Sequence, residues 1–252
     1  MERKKRHALL HWLLDYGEML LGTGAEIYRV EDTLLRIGQA YGVDKVSIFV
    51  ITSNIMLTLN YADGMELTQM RRINATGPTD FFKMEKLNAL SRRCCREQPS
   101  LEALRQELNQ LDQPIPAIWL YAGRILGAGC FAIFFGGTFL DGLVAAFFGW
   151  LICFLQRKIG DFCPNTVVFN LICSFLVSLG LSILGELVPI LHTDMIMIGD
   201  IMLLIPGLGF TNALRDMLVG DTISGVSRLI DSLLGAAGLA GGVMSAMWLI
   251  GG

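Results

Sequence analysis

"LLIPGLGFTNALRD", residues 203–216, decides how this chain is read. An apolar run stops at Pro206-Gly207, resumes for a few residues, and then presents Asn212, Arg215 and Asp216 close together. In a soluble core helix Pro206 would remove a backbone donor and Gly207 would loosen the turn around it, at costs of about 3 and 1 kcal/mol. Within a bilayer the same interruption is tolerated where the freed carbonyls face protein or a water-filled cavity. The rest of the chain decides between these two solvents.

Composition favours lipid. Of 252 residues 53% are hydrophobic and 17% charged, and mean hydropathy is +0.52, which places the chain in the membrane class. Residues 1–115 carry 15 of the 20 Lys and Arg and 15 of the 23 Asp and Glu, so a charge-rich region of soluble character precedes an apolar one. The opening "MERKKRHALLHWLLDYGEML" imitates a signal peptide, but His11, Asp15 and Glu18 interrupt its apolar part. It reads as an amphipathic helix whose basic end lies in water or near anionic lipid. His7 and His11 are a weak metal signal, and the six Cys show no CxxC and no ligand spacing, so they read as reduced, structural thiols.

Further along, "EIYRVEDTLLRIGQAY" (26–41) places Ile27, Val30, Leu34 and Ile37 on one face of a helix, with Gly22 and Gly24 marking the turn before it. "KVSIFVIT", "IMLTLNY" and "MELTQMRRI", separated by Ser53-Asn54 and Ala62-Asp63-Gly64, read as three short strands in a meander. Charged periodic segments near 80–97 and 100–111 read as helices, and Gln113-Pro114-Ile115-Pro116 as the exit linker of a small α+β domain.

Beyond it, five apolar stretches approach the roughly 20 residues that a bilayer crossing requires: 117–136, 139–156, 166–188, 194–217 and 225–250. Arg157, Lys158, Arg215 and Arg228 fall on one side, while the loops near 137–141 and 189–194 carry no Lys or Arg. The positive-inside rule then puts the domain of residues 1–115 in the cytoplasm and the carboxyl terminus outside. The expected architecture is an α-helical membrane protein of about five transmembrane helices, one discontinuous, over residues 116–252, with an N-terminal cytoplasmic α+β domain. Five spans is an odd number for paired repeats and points to half of a larger assembly.

Asp200 precedes the broken stretch, and an Asp at membrane depth is a functional candidate by default; the alternative is a Pro kink with Asp200 reaching the outer surface. Past Pro206 and Gly207, Asn212 and Asp216 stand at i, i+4 beside Arg215. Asp221 is placed to cap the fifth span, Ser224 and Arg228 are one turn apart, and Asp231 follows. Arg215 and Arg228 suit a carboxylate-bearing solute, and the mixed charges suit a gate or an interfacial ion-pair network. Gly123/Gly127 and Gly238/Gly242 read as small-residue helix contacts.

"GTGAEIYRVEDTLLRIGQAYG" and "IPGLGFTNALRDMLVGDTISGVSRLIDSLLGAAGLAGG" together resemble the bacterial threonine/serine exporter family over roughly residues 10–250. Full-length members join this unit to a second membrane unit, so the chain resembles the larger subunit of the split, two-gene type, whose members include proteins linked to succinate export. The resemblance implies a small integral-membrane partner in a hetero-oligomer and a place in the bacterial inner membrane. It also makes Glu26, Arg29 and Glu31 part of the soluble domain's signature. Hydroxy amino acids and dicarboxylates are both open as substrates. "DTISGVSRLIDSLLG" superficially resembles the Asp-rich motif of membrane CDP-alcohol phosphotransferases, but Ser224 stands where a second Asp is needed and no Asp follows Gly235, so a two-metal cage cannot be built. A noncatalytic scaffold leaves Asp200 unexplained. With no GxxxxGK[ST] the expected mechanism is secondary transport. Asp200 would be the proton or ammonium site, the Pro206-Gly207 break would supply backbone polar groups, and Arg215 or Arg228 would attract carboxylate. No cofactor, metal or nucleic-acid partner is expected.

Overall fold

The computed structural model describes residues 2–73, 79–112, 116–163 and 165–251; of the expected exit linker, residues 113–115 lie outside them. The chain forms two units, Met1–Pro114 with Leu208–Leu229, and Ile115–Gly207 with Ile230–Gly252.

The first unit contains α1 (Glu2–Gly22), α2 (Ile27–Ala40), β1 (Lys45–Ile51), β2 (Asn54–Asn60), β3 (Glu66–Arg72), α3 (Phe81–Glu97) and α4 (Leu101–Leu111). The strands form an antiparallel meander in order β1-β2-β3, with Val50 opposite Ile55 and Leu59 opposite Leu67. Ile55, Leu57 and Leu59 alternate into the core, as a half-buried strand requires. The helix α2 buries Ile27, Val30, Leu34 and Ile37 as its period predicts, after Gly24 turns the chain at φ +83.

In α1 the structure corrects the sequence reading. This helix is not amphipathic in the surface sense: Leu9, Leu10, Trp12, Leu13, Leu14, Tyr16, Leu20 and Leu21 are all buried. It is the central helix of the unit, with α2, α3, α4, β2 and β3 packed around it, so it needs apolar residues on nearly every side. The interrupting charges find local partners. Asp15 and Glu18 both bind Arg71 of β3; of the expected basic end Arg3, Lys4 and Lys5 are exposed, while Arg6 pairs with Asp63 and lies 4.2 Å above the Tyr61 ring.

In the second unit are α5 (Ala117–Phe134), α6 (Phe139–Ile159), α7 (Thr166–Leu187), α8 (Thr193–Ile201) and most of α10 (Thr222–Gly251), whose first turns belong to the first unit together with most of α9 (Gly207–Val219). Among the described residues three helices are long and apolar enough to cross a membrane, Phe139–Ile159, Thr166–Leu187 and Thr222–Ile250, with Ile118–Phe134 a shorter apolar helix. Large apolar side chains point outward, Trp119 being 70% exposed, Phe139 74% and Trp248 78%. A surface of that kind belongs in lipid, and the chain is a mostly helical membrane protein.

The interval 194–217 is two helices. The first ends at Ile201, and Pro206 stands immediately before Gly207, the first residue of α9, where a missing N–H costs nothing within the helix. Small residues bring the helices close. A methyl group on Gly199 would lie 2.7 Å from the Ala128 carbonyl oxygen of α5, and one on Gly242 would lie 2.0 Å from Ser174 Oγ of α7. Gly238 and Gly242 therefore serve α7–α10 packing within this chain. Gly123 has nothing within 4 Å, and Gly127 meets Leu203, so that expected pair is not one helix contact; Gly129, Gly142, Gly149 and Gly199 make the close approaches instead.

Candidate functional site

Two segments nearly 200 residues apart in sequence meet in the first unit. Asn212 Nδ2 donates to the Gly24 carbonyl at 3.4 Å, and Arg228 donates to the Ala25 carbonyl at 3.1 Å. Arg215 pairs with Glu26, donates to Tyr28 Oη at 3.0 Å, and lies 5.6 Å from the Tyr28 ring centroid. Asp216, fully buried, has Oδ2 3.3 Å from Arg228 Nη1 without hydrogen-bond geometry, and it is within reach of the Ile27 N–H.

The local reason is the amino end of α2. Its first N–H groups have no intrahelical acceptor and the helix dipole favours negative charge there. Glu26 holds the N-cap position but makes no capping bond; one of its carboxylate oxygens pairs with Arg215, and Oε2 has no hydrogen-bond partner among the described residues. Asp216 supplies the negative charge from the distant segment. Of the other sequence candidates, Asp221 precedes α10 and accepts the Gly225 N–H through its carbonyl, Ser224 is buried, and Arg29 is exposed. Glu31 accepts the Val50 N–H at 3.0 Å; burial raises its carboxyl above the usual range, against that hydrogen bond, with nearby Asp221 adding to the rise. Asp231 is exposed and lies in the second unit. Both guanidinium groups are thus already held by protein oxygens, and a solute carboxylate would have to displace them.

The second unit holds Asp200, next to the end of α8. It is fully buried, and neither carboxylate oxygen has a hydrogen-bond partner among the described residues. The chain then turns, with Leu203 N–H donating to the Asp200 carbonyl and Ile205 N–H to that of Ile201. Pro206 approaches the position a side chain at Gly235 would occupy, whose carbonyl accepts Asn170 Nδ2 at 3.3 Å. Asn170, Ser174 and Ser178 form a buried polar row along α7; Ser174 bonds the Leu239 carbonyl at 3.0 Å, while Ser178 Oγ has no partner among the described residues.

Two features escaped the sequence reading. Asp141, fully buried, accepts the Thr138 N–H and hydroxyl, each at 2.7 Å, and the His192 N–H at 3.0 Å, with His192 Nδ1 2.9 Å away. This ties the start of α6 to the start of α8, and the Thr-x-x-Asp spacing of a capping box was its signal. Arg124 is a lone basic residue within α5, and its Nη1 donates to Gln156 Oε1.

A family model described as "Putative threonine/serine exporter" matches residues 11–250. The "Probable succinate transporter subunit YjjP" of Escherichia coli (strain K12) is 26% identical over 250 residues, covering 97% of this chain and 96% of that protein. The protein of the same name from Klebsiella aerogenes is 26% identical over 253 residues, covering 98% and 96%. The "Probable threonine/serine exporter" of Mycobacterium tuberculosis is 26% identical over 239 residues, covering 90% of this chain and 44% of that protein. No solved structure matches the chain. Family and relatives carry the names of transporters, not enzymes. With nearly its whole length matched, the chain belongs to the threonine/serine exporter family.

Proposed function

We propose that the protein is a secondary-transport subunit that exports small carboxylate-bearing metabolites, threonine and serine or dicarboxylates such as succinate, across the bacterial inner membrane. The observation that carries this reading is Asp200, buried with both oxygens unpartnered beside an interrupted helix. An ionisable group held at such cost inside a membrane unit belongs to a pathway for ions or solutes. Asp200 takes up a proton or the ammonium of the solute, and the turn from Met202 to Pro206, with Gly207 opening α9, presents backbone polar groups beside it. Asn212, Arg215, Asp216 and Arg228 act as a latch on residues 24–28, with Asp221 and Ser224 shaping the turn below it, and the latch opens and closes with the cycle. Glu26, Arg29 and Glu31 form the docking edge of that latch.

In this reading residues 1–115 are a cytoplasmic domain, residues 116–252 cross the bilayer five times, and the carboxyl terminus is outside. An activity reporter inserted at Gly64 should report from the cytoplasm and one fused after Gly252 from the other side, as Arg157, Lys158, Arg215 and Arg228 require. The opposite pattern overturns the five-span topology.

A shorter membrane protein of the same family completes the transporter. The odd span count supports this, as does the word subunit in the names of two relatives. The chain alone, reconstituted into preloaded vesicles, should release threonine, serine or succinate at under about a tenth of the rate of the co-purified pair, since half of a paired-repeat carrier lacks one side of its site. Equal rates with and without the second polypeptide replace the hetero-oligomer with a homo-oligomeric carrier.

A further inference from the structure

Arg124 lies on the part of α5 that packs against the end of α8 and the turn after it. Gly199, the residue before Asp200, packs on Ala128 of α5, and Arg124 lies one helical turn from Ala128, about 6 Å along the axis. Leu203, in the turn that follows α8, reaches Gly127 and Gly149, positions next to that same turn of α5; Gly149 also closes on the Arg124 carbonyl. The Arg124 side chain reaches Cys153 of α6. Cys173 of α7 is within electrostatic range of both Arg124 and Asp200.

Among the described residues Arg124 forms no ion pair: it donates to the neutral amide of Gln156, and its other polar contact is the Cys153 thiol. A guanidinium has five N–H donors in a fork that matches a carboxylate. Arg215 and Arg228, by contrast, are already matched to Glu26, Tyr28, Asp216 and the Ala25 carbonyl. We propose that Arg124 binds the carboxylate of the transported solute in the membrane unit, beside the interruption between α8 and α9 that Asp200 adjoins. The assignment rests on the export reading above. Arg124 and the solute carboxylate neutralise one another, and Asp200 enters the same exchange with its proton or with an ammonium group. In the water-poor surroundings of a membrane unit the guanidinium–carboxylate attraction is stronger than at a protein surface.

The test uses the complex with its partner in vesicles, with counterflow of labelled L-threonine and labelled succinate. Competition is measured with each acid and with its amide, L-threoninamide or succinamide. The wild type should prefer acid over amide. Arg124→Gln should raise KM for the acid by at least about 10-fold and bring the acid-over-amide preference close to unity, because the group that reads the carboxylate is gone. Arg124→Lys should fall between, retaining charge without the fork. Gln156→Leu should keep the preference, which separates carboxylate binding from a structural Arg124–Gln156 pair. Should Arg124→Gln fail to insert, Arg124→Lys decides: an unchanged KM and preference in either variant overturns the assignment while leaving the export reading intact. A wild-type complex that moves neither solute overturns both.

Discussion

Asp200→Asn should insert normally and export at least about a hundredfold more slowly, a loss of the size expected when a buried charged partner is removed. The amide keeps the volume of the carboxyl group but takes up no proton and pairs with no ammonium. The residual efflux should also lose the pH dependence of the wild type. Stability should not fall, because a buried carboxylate without a hydrogen-bond partner among the described residues is itself a cost to the fold. Efflux from preloaded vesicles across a pH series, with thermal unfolding measured on the same preparation, reads both effects. Unchanged efflux with an unchanged pH profile makes Asp200 a structural residue and removes the main support for the transport site.

Arg228→Ala should lower Tm by roughly 6–12 °C, from about 3 kcal/mol or more for a broken buried pair and the usual Tm sensitivity of a chain this long. The change leaves Asp216, fully buried, facing no guanidinium, and also removes the donor to the Ala25 carbonyl. Arg215→Ala should lower Tm by less than Arg228→Ala, because the Arg215 side chain is 51% exposed, so water screens its pair with Glu26 and reaches the space it leaves, although the Glu26 side chain is only 10% exposed. The double variant Arg228→Met with Asp216→Leu should recover part of the loss. Equal Tm shifts for the two single Arg variants would show that burial of Asp216 does not set the strength of the latch.

What the sequence revealed was whatever is written locally. The three strands and α2 announce themselves because a period of two and a period near 3.6 are visible in a handful of neighbouring residues. The interruption was visible in Pro206-Gly207, although α8 ends earlier, at Ile201, and the intervening residues turn. The central position of α1 was not visible, because a helix surrounded on all sides differs from a surface helix in what packs around it, and Asp15 and Glu18 read only as interruptions of an apolar run until Arg71 was placed beside them. The latch is nonlocal in the same way: Asn212 and Gly24 meet across 188 positions. Gly123 and Gly127 have the spacing of a helix contact, but spacing along one helix does not say which turn meets a neighbour. Arg124 was lost in an average, one cation in a span otherwise apolar enough to be counted as such.

The chain changes unit at Pro114, at Gly207 and again at Leu229. Neither unit is therefore a cassette that recombination can move with one crossover. A gene fragment ending at Pro114 would encode a domain whose Gly24 and Ala25 carbonyls and Glu26 carboxylate have lost Asn212, Arg228 and Arg215. Exchange of the first unit between relatives has to carry residues 208–229 along, so viable chimaeras require two matched junctions within the apolar half, and lineages of this family should inherit both units as one linked block.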